Sequence, residues 1–243
     1  MIPKRIHFCW FSREEYPDNI KKCLNTWHEI LPDYEIIKWD GDNFDFSVNK
    51  YAQEAYENKK WAFASDYVRL YVLYHYGGIY LDSDIEVLKS FDPLLENKAF
   101  TGFESQGSVA AWIFGTEKSN PIFKEFLEHY ENRSFVKPDG KFDVTPNPIP
   151  ISKICAKHGM KNIDEMQVLD EITIYPERFF SGKSIVDGKI RITNDTYTIH
   201  HFDGTWQSER ERTIKAIKYK IFGLMGEGSY PLIRKWYRYF INK

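Results

Sequence analysis

The chain is poor in cysteine. Cys9, Cys23 and Cys155 are the three in 243 residues. The count is odd and no C-x-x-C pair occurs, so neither a disulfide framework nor a cysteine zinc site is expected. Reduced thiols in a cytosolic protein are expected instead. Long apolar runs are also missing. No stretch approaches the roughly 20 residues that a membrane span needs. The opening MIPKRIHFCWF has no apolar core or small-residue cleavage site of a secretory signal. Charge of one sign is lacking too: the net charge is −2, which argues against nucleic acid as a partner. Internal repeats and low-complexity tracts are absent. What is present is a 42% apolar chain with 17% aromatics, enough for a sizeable core.

Read for pattern, the chain opens with a strand from Ile2 to Phe11. Pro17 starts a helix through Leu31. A second strand covers Tyr34 to Trp39, and a short helix Asn49 to Lys59. Trp61 to Tyr76 is a helix whose only formal charges are Asp66 and Arg69, so it must be largely buried. Gly77 and Gly78 stop it, and strand Ile79–Leu81 follows at once. Further strands are expected at 100–103, 109–114, 172–175 and 197–199, with a helix from Pro121 to about Glu131. The segment KPDGKFDVTPNPIP reads as a loop near a site. This order predicts an α/β sheet with its site at the strand ends.

The stretch YGGIYLDSDIEVL raises the functional question. Strand periodicity puts Tyr80, Asp82 and Asp84 on one face. Close carboxylates repel unless a proton or a cation neutralises them, and a hard divalent ion is the economical partner. A solvated turn is the alternative, and that is the reading for the other D-x-D, Asp40-Gly41-Asp42. A calcium loop of the EF-hand type fails, because its sixth and twelfth positions from Asp82 would be Val87 and Pro93. On the preceding helix, Asp66 and Arg69 share a face among Ala62, Phe63, Ala64, Tyr67, Val68 and Leu70. A charged pair there needs partners such as sugar hydroxyls or phosphate oxygens.

Three blocks now stand out in order: IPKRIHFCWF, WAFASDYVRLYVLYHYGGIYLDSDIEVL and TYTIHHFDGTW. Together they resemble the DXD glycosyltransferases of family 32, which include bacterial capsular-polysaccharide and lipopolysaccharide sugar transferases and fungal mannosyltransferases. The glucosylating domains of large clostridial toxins share the core. The resemblance spans roughly residues 1–206. It implies a GT-A fold, Rossmann-like with a mixed sheet and flanking helices, over residues 1–208. It also implies a retaining transfer from a nucleotide-sugar donor, UDP-linked, with Mn²⁺ or Mg²⁺ as cofactor. Asp66, Arg69, Asp82 and Asp84 would carry the chemistry. Trp10, Ser65, Asp66, Arg69, Tyr80, Asp82 and Trp206 would hold the donor, Trp10 by stacking on uracil and Trp206 through its indole N–H. Asp82, Asp84 and His201 would hold the metal, with His200 second to His201. Glu104 is a further candidate near the sugar.

The acceptor implied is an oligosaccharide or lipid-linked saccharide, as in capsular or surface polysaccharide synthesis. The alternatives are a metal-dependent phosphatase of the haloacid dehalogenase type, which also uses Asp-x-Asp after a strand, and a noncatalytic carbohydrate-binding protein. Residues 209–243 form a separate segment. Nine Lys/Arg stand there against three Glu, mixed with Trp, Tyr, Phe and Ile. They read as a helical basic-aromatic tail that either docks on an anionic membrane surface, giving a cytoplasmic protein peripheral on the inner face of the membrane, or packs on the domain.

Overall fold

The computed structural model describes residues 1–105, 107–184 and 187–204, together with 213, 214, 216, 217 and 219. In chain order the elements are β1 (Arg5–Cys9), α1 (Asp18–Ile30), β2 (Glu35–Trp39), α2 (Lys50–Glu57), α3 (Trp61–Tyr76), β3 (Gly78–Leu81), β4 (Ile85–Val87), β5 (Ala99–Ser105), β6 (Ser108–Val109), β7 (Ile113–Thr116), α4 (Pro121–Glu128), α5 (Pro148–Lys157), β8 (Gln167–Val168), β9 (Thr173–Tyr175), α6 (Glu177–Phe180) and β10 (Thr198–His200). The main sheet runs β2-β1-β3-β7-β5-β9-β8, with β6 added on β5. β1 is parallel to β2 and β3, whereas β7 lies antiparallel between β3 and β5. A separate two-stranded sheet pairs β10 with β4. The α/β class expected from the sequence is the one observed.

β3 sits in the middle of the sheet, which is why all four of its residues are buried. Its side chains alternate between two cores. Tyr80 joins the core built with α2 to α5, and Ile79 and Leu81 join the core on the other face, with Trp27 of α1 and Phe180 of α6. The connection from α3 is two glycines. Gly77 has φ +65° and its N–H closes the helix on Leu73. Gly78 has φ +110°, and a Cβ there would stand 2.9 Å from the Arg5 carbonyl oxygen. The buried His7 beside them is neutral, because burial lowers it to about 4. Its Nδ1 accepts from the Trp39 indole at 3.1 Å, so Nε2 carries the proton donated to the Gly77 carbonyl at 2.8 Å.

Several expectations change. β1 ends at Cys9, so Trp10 stands just beyond it, its N–H bonded to the Trp39 carbonyl. The expected strand 109–114 is broken into β6 and β7 by Ala110, Ala111 and Trp112. The proline-rich segment is a loop only as far as Asn147. Pro148 then opens α5, since proline at a first turn loses no hydrogen bond.

Candidate functional site

The helix α3 and the end of β3 supply a charge bridge around one buried cation. Arg69, whose side chain is 6% exposed, places Nη2 3.2 Å from Asp66 Oδ1 and 3.4 Å from Asp82 Oδ1. Its remaining donors go to the Ser65 carbonyl at 3.1 Å, the Ser65 hydroxyl at 2.9 Å and the Ala111 carbonyl. The guanidinium lies 4.8 Å from the centre of the Tyr80 ring, and the Tyr80 hydroxyl donates to Asp82 Oδ1 at 2.9 Å. A buried cation is tolerable only when its donors are used in this way. Burial pushes the Asp66 carboxyl up to about 7 against the opposing pull of Arg69. Burial likewise raises Asp82, again opposed by Arg69.

Asp84 lies one turn beyond. Its Oδ2 accepts the Asp203 N–H at 2.9 Å, and its Oδ1 lies 3.3 Å from His200 Nε2. Burial acts to raise Asp84, but the His200 imidazole and the Asp203 N–H outweigh it and hold the carboxyl at about 2. Asp82, Asp84 and His200 each offer a ligand atom within 4.8 Å of the others. Two carboxylates and an imidazole suit Mn²⁺ or Mg²⁺, and the charge repulsion between the aspartates is what a cation would relieve. His200 Nδ1 is buried without a hydrogen-bond partner, so its side chain is not committed to a protein network on that side. The ring is held between Trp112, at 4.6 Å, and Phe202, at 3.9 Å.

The imidazole in this cluster is His200 and not the expected His201. His200 is the last inward-facing residue of β10, opposite Ile85, and the alternation of the strand turns His201 the other way. His201 Nε2 instead lies 2.8 Å from Glu86 Oε2.

Asp66, Ser65, Arg69, Tyr80, Asp82 and Asp84 thus come together. Trp10 is set apart. It lines a cavity of about 600 Å³ with Arg13, Tyr16, Lys38, Asp40 and Tyr56, and its ring meets Tyr16 edge-on at 4.9 Å. The D-x-D read as solvated, Asp40 and Asp42, borders the same cavity. Glu104 is half-buried, its Oε1 accepts from the Ser108 hydroxyl at 3.2 Å, and desolvation raises its carboxyl to about 7. Trp206 and the tail segment 209–243 lie outside the described residues, apart from the five positions already given. Sequence reasoning missed Asn147 and Trp112. Asn147 donates to the Asp66 carbonyl at 3.2 Å and accepts from Tyr130 at 3.0 Å, tying the proline-rich loop to the site. The available signal was the Asn-Pro pair at a helix start. Nothing in the pattern around Trp112 marks it out from a core tryptophan.

The fold and the site define an α/β domain with an Asp–Asp–His cluster beside an Asp–Arg–Asp bridge centred on the buried Arg69. Residues 17–101 match the family described as "Glycosyltransferase sugar-binding region containing DXD motif". Among curated proteins, the chain is similar to the mannosyl phosphorylinositol ceramide synthase SUR1 of Saccharomyces cerevisiae, 31% identical over 56% of this chain and 37% of that protein. It is similar to inositol phosphoceramide mannosyltransferase 1 of Schizosaccharomyces pombe, 27% identical over 74% of this chain and 60% of that protein. The chain spans 37–60% of the length of these two relatives. They are fungal mannosyltransferases by name, one of the groups the sequence resemblance takes in, and not the bacterial capsular enzymes to which it leans. Among solved structures, the PaToxG glycosyltransferase has a TM-score of 0.48 at 19% identity, covering 64% of this chain and 68% of that one. The galactosyltransferase LgtC has a TM-score of 0.44 at 12% identity, covering 93% of this chain and 99% of that one.

Proposed function

We propose that this chain is a metal-dependent, retaining glycosyltransferase of GT-A type. It moves a sugar from a UDP-linked donor to the hydroxyl of a saccharide acceptor. The observation that carries the reading is the convergence of Asp82, Asp84 and His200 within 4.8 Å at the end of a buried strand, with Arg69 alongside. The match of residues 17–101 to the DXD sugar-binding region supports it. The names of the fungal relatives make a mannosyl donor and an inositol phospholipid acceptor the first to try. Capsular or surface polysaccharide synthesis is the setting suggested by the sequence resemblance. A peripheral position on the inner face of a membrane, through residues 209–243, belongs to the same reading. No helix among the described residues is long and apolar enough to cross a membrane.

In this mechanism the bond between the sugar C1 and the diphosphate oxygen breaks, and negative charge grows on the leaving phosphate. Asp82, Asp84 and His200 would hold the divalent ion, which supplies charge neutralisation at the diphosphate. Arg69, preorganised by five polar partners, faces the same developing charge without reorganising. Asp66 accepts from donor-sugar hydroxyls. The acceptor oxygen bonds to C1 on the face the phosphate leaves, and its proton passes to the departing phosphate oxygen. The phosphatase alternative would need Asp82 as a free nucleophile, but its Oδ1 is engaged by both Tyr80 and Arg69.

The test is thermal stabilisation by UDP and by GDP with and without Mn²⁺, followed by a screen of UDP- and GDP-sugars for metal-dependent hydrolysis. Absence of metal-dependent nucleotide binding would sink the proposal. Release of inorganic phosphate from simple phosphomonoesters would favour the phosphatase instead.

A further inference from the structure

We propose that Phe202 is a positioning residue for the Asp82–Asp84–His200 cluster: its ring, placed by a left-handed backbone, fixes the His200 imidazole where a cation would meet it. This rests on the glycosyltransferase reading and deepens it, by naming what orients the member of the cluster that comes from a separate strand.

Phe202 has φ +55°. A left-handed backbone is costly for a residue that bears a side chain, and a bulky residue keeps it only where its surroundings over-determine it. Lys59 and Ser119 are the other non-glycine cases among the described residues, and both are exposed. Phe202 is half-buried and its neighbours close on a single aspartate. The His201 N–H donates to the Asp84 carbonyl at 3.1 Å, and the Asp203 N–H donates to Asp84 Oδ2 at 2.9 Å. His200 Nε2 stands 3.3 Å from Asp84 Oδ1. An extended residue at 202 would carry the Asp203 N–H onward, away from that carboxylate. Asn19 of α1 secures the reversal, its side-chain amide donating to the Asp203 carboxylate.

The same reversal lays the Phe202 ring on the imidazole, with centroids 3.9 Å apart and planes inclined by 34°. A metal-ligating histidine is ordinarily oriented by donating its second ring N–H to a carboxylate, a carbonyl or water. His200 Nδ1 is buried and meets no such partner among the described residues. Its neighbour His201 shows the ordinary arrangement, with Nε2 2.8 Å from Glu86 Oε2. Packing must therefore orient His200. Trp112 supplies one contact, at 4.6 Å, from the buried core. Phe202 supplies the closer one, from a residue whose backbone is held in an unfavourable conformation to do so.

The experiment compares the wild type with Phe202→Gly and Phe202→Tyr. Glycine keeps the left-handed backbone and removes the ring, whereas tyrosine keeps the ring. Mn²⁺ affinity is read from the free-ion electron paramagnetic resonance signal with UDP present. Imidazole order in the metal-free proteins is read by ¹⁵N NMR, with His200 identified by its loss in His200→Ala. Phe202→Gly is expected to bind Mn²⁺ about tenfold more weakly and to broaden the His200 signal. Phe202→Tyr should match the wild type in both. Wild-type Mn²⁺ affinity in Phe202→Gly overturns the proposal, and so does an equal loss in Phe202→Tyr. If Phe202→Gly does not fold, Phe202→Leu decides in the same way, because it keeps apolar bulk without the flat face. Metal-dependent donor hydrolysis with unchanged Mn²⁺ affinity in Phe202→Gly refutes the positioning alone. A wild type that binds no Mn²⁺ beside UDP refutes the glycosyltransferase reading. The positioning then stands if the metal-free His200 signal broadens in Phe202→Gly and not in Phe202→Tyr, and falls otherwise.

Discussion

His200 Nε2 approaches Asp84 Oδ1 to 3.3 Å across 116 positions of chain, and that approach joins the two-stranded β4–β10 sheet to the end of β3. His200→Ala is expected to lower Mn²⁺ affinity roughly 10- to 100-fold, measured by titration with UDP present. His201→Ala should leave that affinity unchanged, because its imidazole is paired with Glu86. The opposite order would show that β10 presents its other face to the aspartates.

Asp84→Asn should abolish the Mn²⁺-dependent part of UDP stabilisation. It should also cost the metal-free protein up to about 2 kcal/mol at neutral pH. The sign follows from the depressed carboxyl. A group held at about 2 contributes stability above its ordinary value near 4, and that contribution is lost as pH falls through 2. Urea melts at pH 7 and pH 3 of both proteins check it: the gap between them should close on the acid side.

Asp66 has the reverse dependence. Burial raises it to about 7, opposed by Arg69 and reinforced by Asp82, with Asn147 and Arg133 also facing it and favouring the charge. The folded state keeps a proton that the unfolded chain releases near pH 4, so stability falls as pH climbs from about 4 to 7. The slope is at most about 1.4 kcal/mol per pH unit. Asp66→Asn removes that slope. The stability of the variant relative to wild type should therefore rise between pH 5 and pH 8 in metal-free denaturant melts. A constant difference across that range would show that Asp66 is already ionised at pH 5.

Gly78→Ala should destabilise by roughly 2–4 kcal/mol, through backbone strain and overpacking together. The φ of +110° is unsuited to alanine, and the new Cβ would meet the Arg5 carbonyl oxygen at 2.9 Å and His7 Nε2 at 3.0 Å. Thermal unfolding reads it. A loss confined to activity, with melting unchanged, would mean that β1 and β3 part easily enough to admit a methyl group.

Much of this architecture was legible because its signals are local. Trp61–Tyr76 announces itself by sixteen residues with two charges between a clear start and two glycines. The helix carries Asp66 and Arg69, and the strand that follows carries Asp82 and Asp84, so their proximity could be read from spacing alone. The role of His200 over His201 could not. It depends on the register of β10 against β4, and β4 itself, Ile85-Glu86-Val87, is too short to show a period. Asn147 was hidden for a related reason. Its partners Asp66 and Tyr130 come from other elements, and the prolines around it suggested an irregular loop where the first turn of α5 begins.

The two halves of the candidate site are held by very different amounts of protein. Asp66, Arg69, Asp82 and Asp84 belong to one continuous stretch of helix, glycine pair and central strand. Their mutual arrangement survives as long as the main sheet does. The imidazole hangs on three paired residues, Thr198 to Val87, Ile199 to Glu86 and His200 to Ile85. A modest strain on that short ladder would withdraw the imidazole from the candidate cation cluster and leave the Asp66–Arg69–Asp82 bridge in place. In the proposed enzyme, cation affinity would therefore respond to whatever touches the end of β10, while the bridge on α3 and β3 stays as it was.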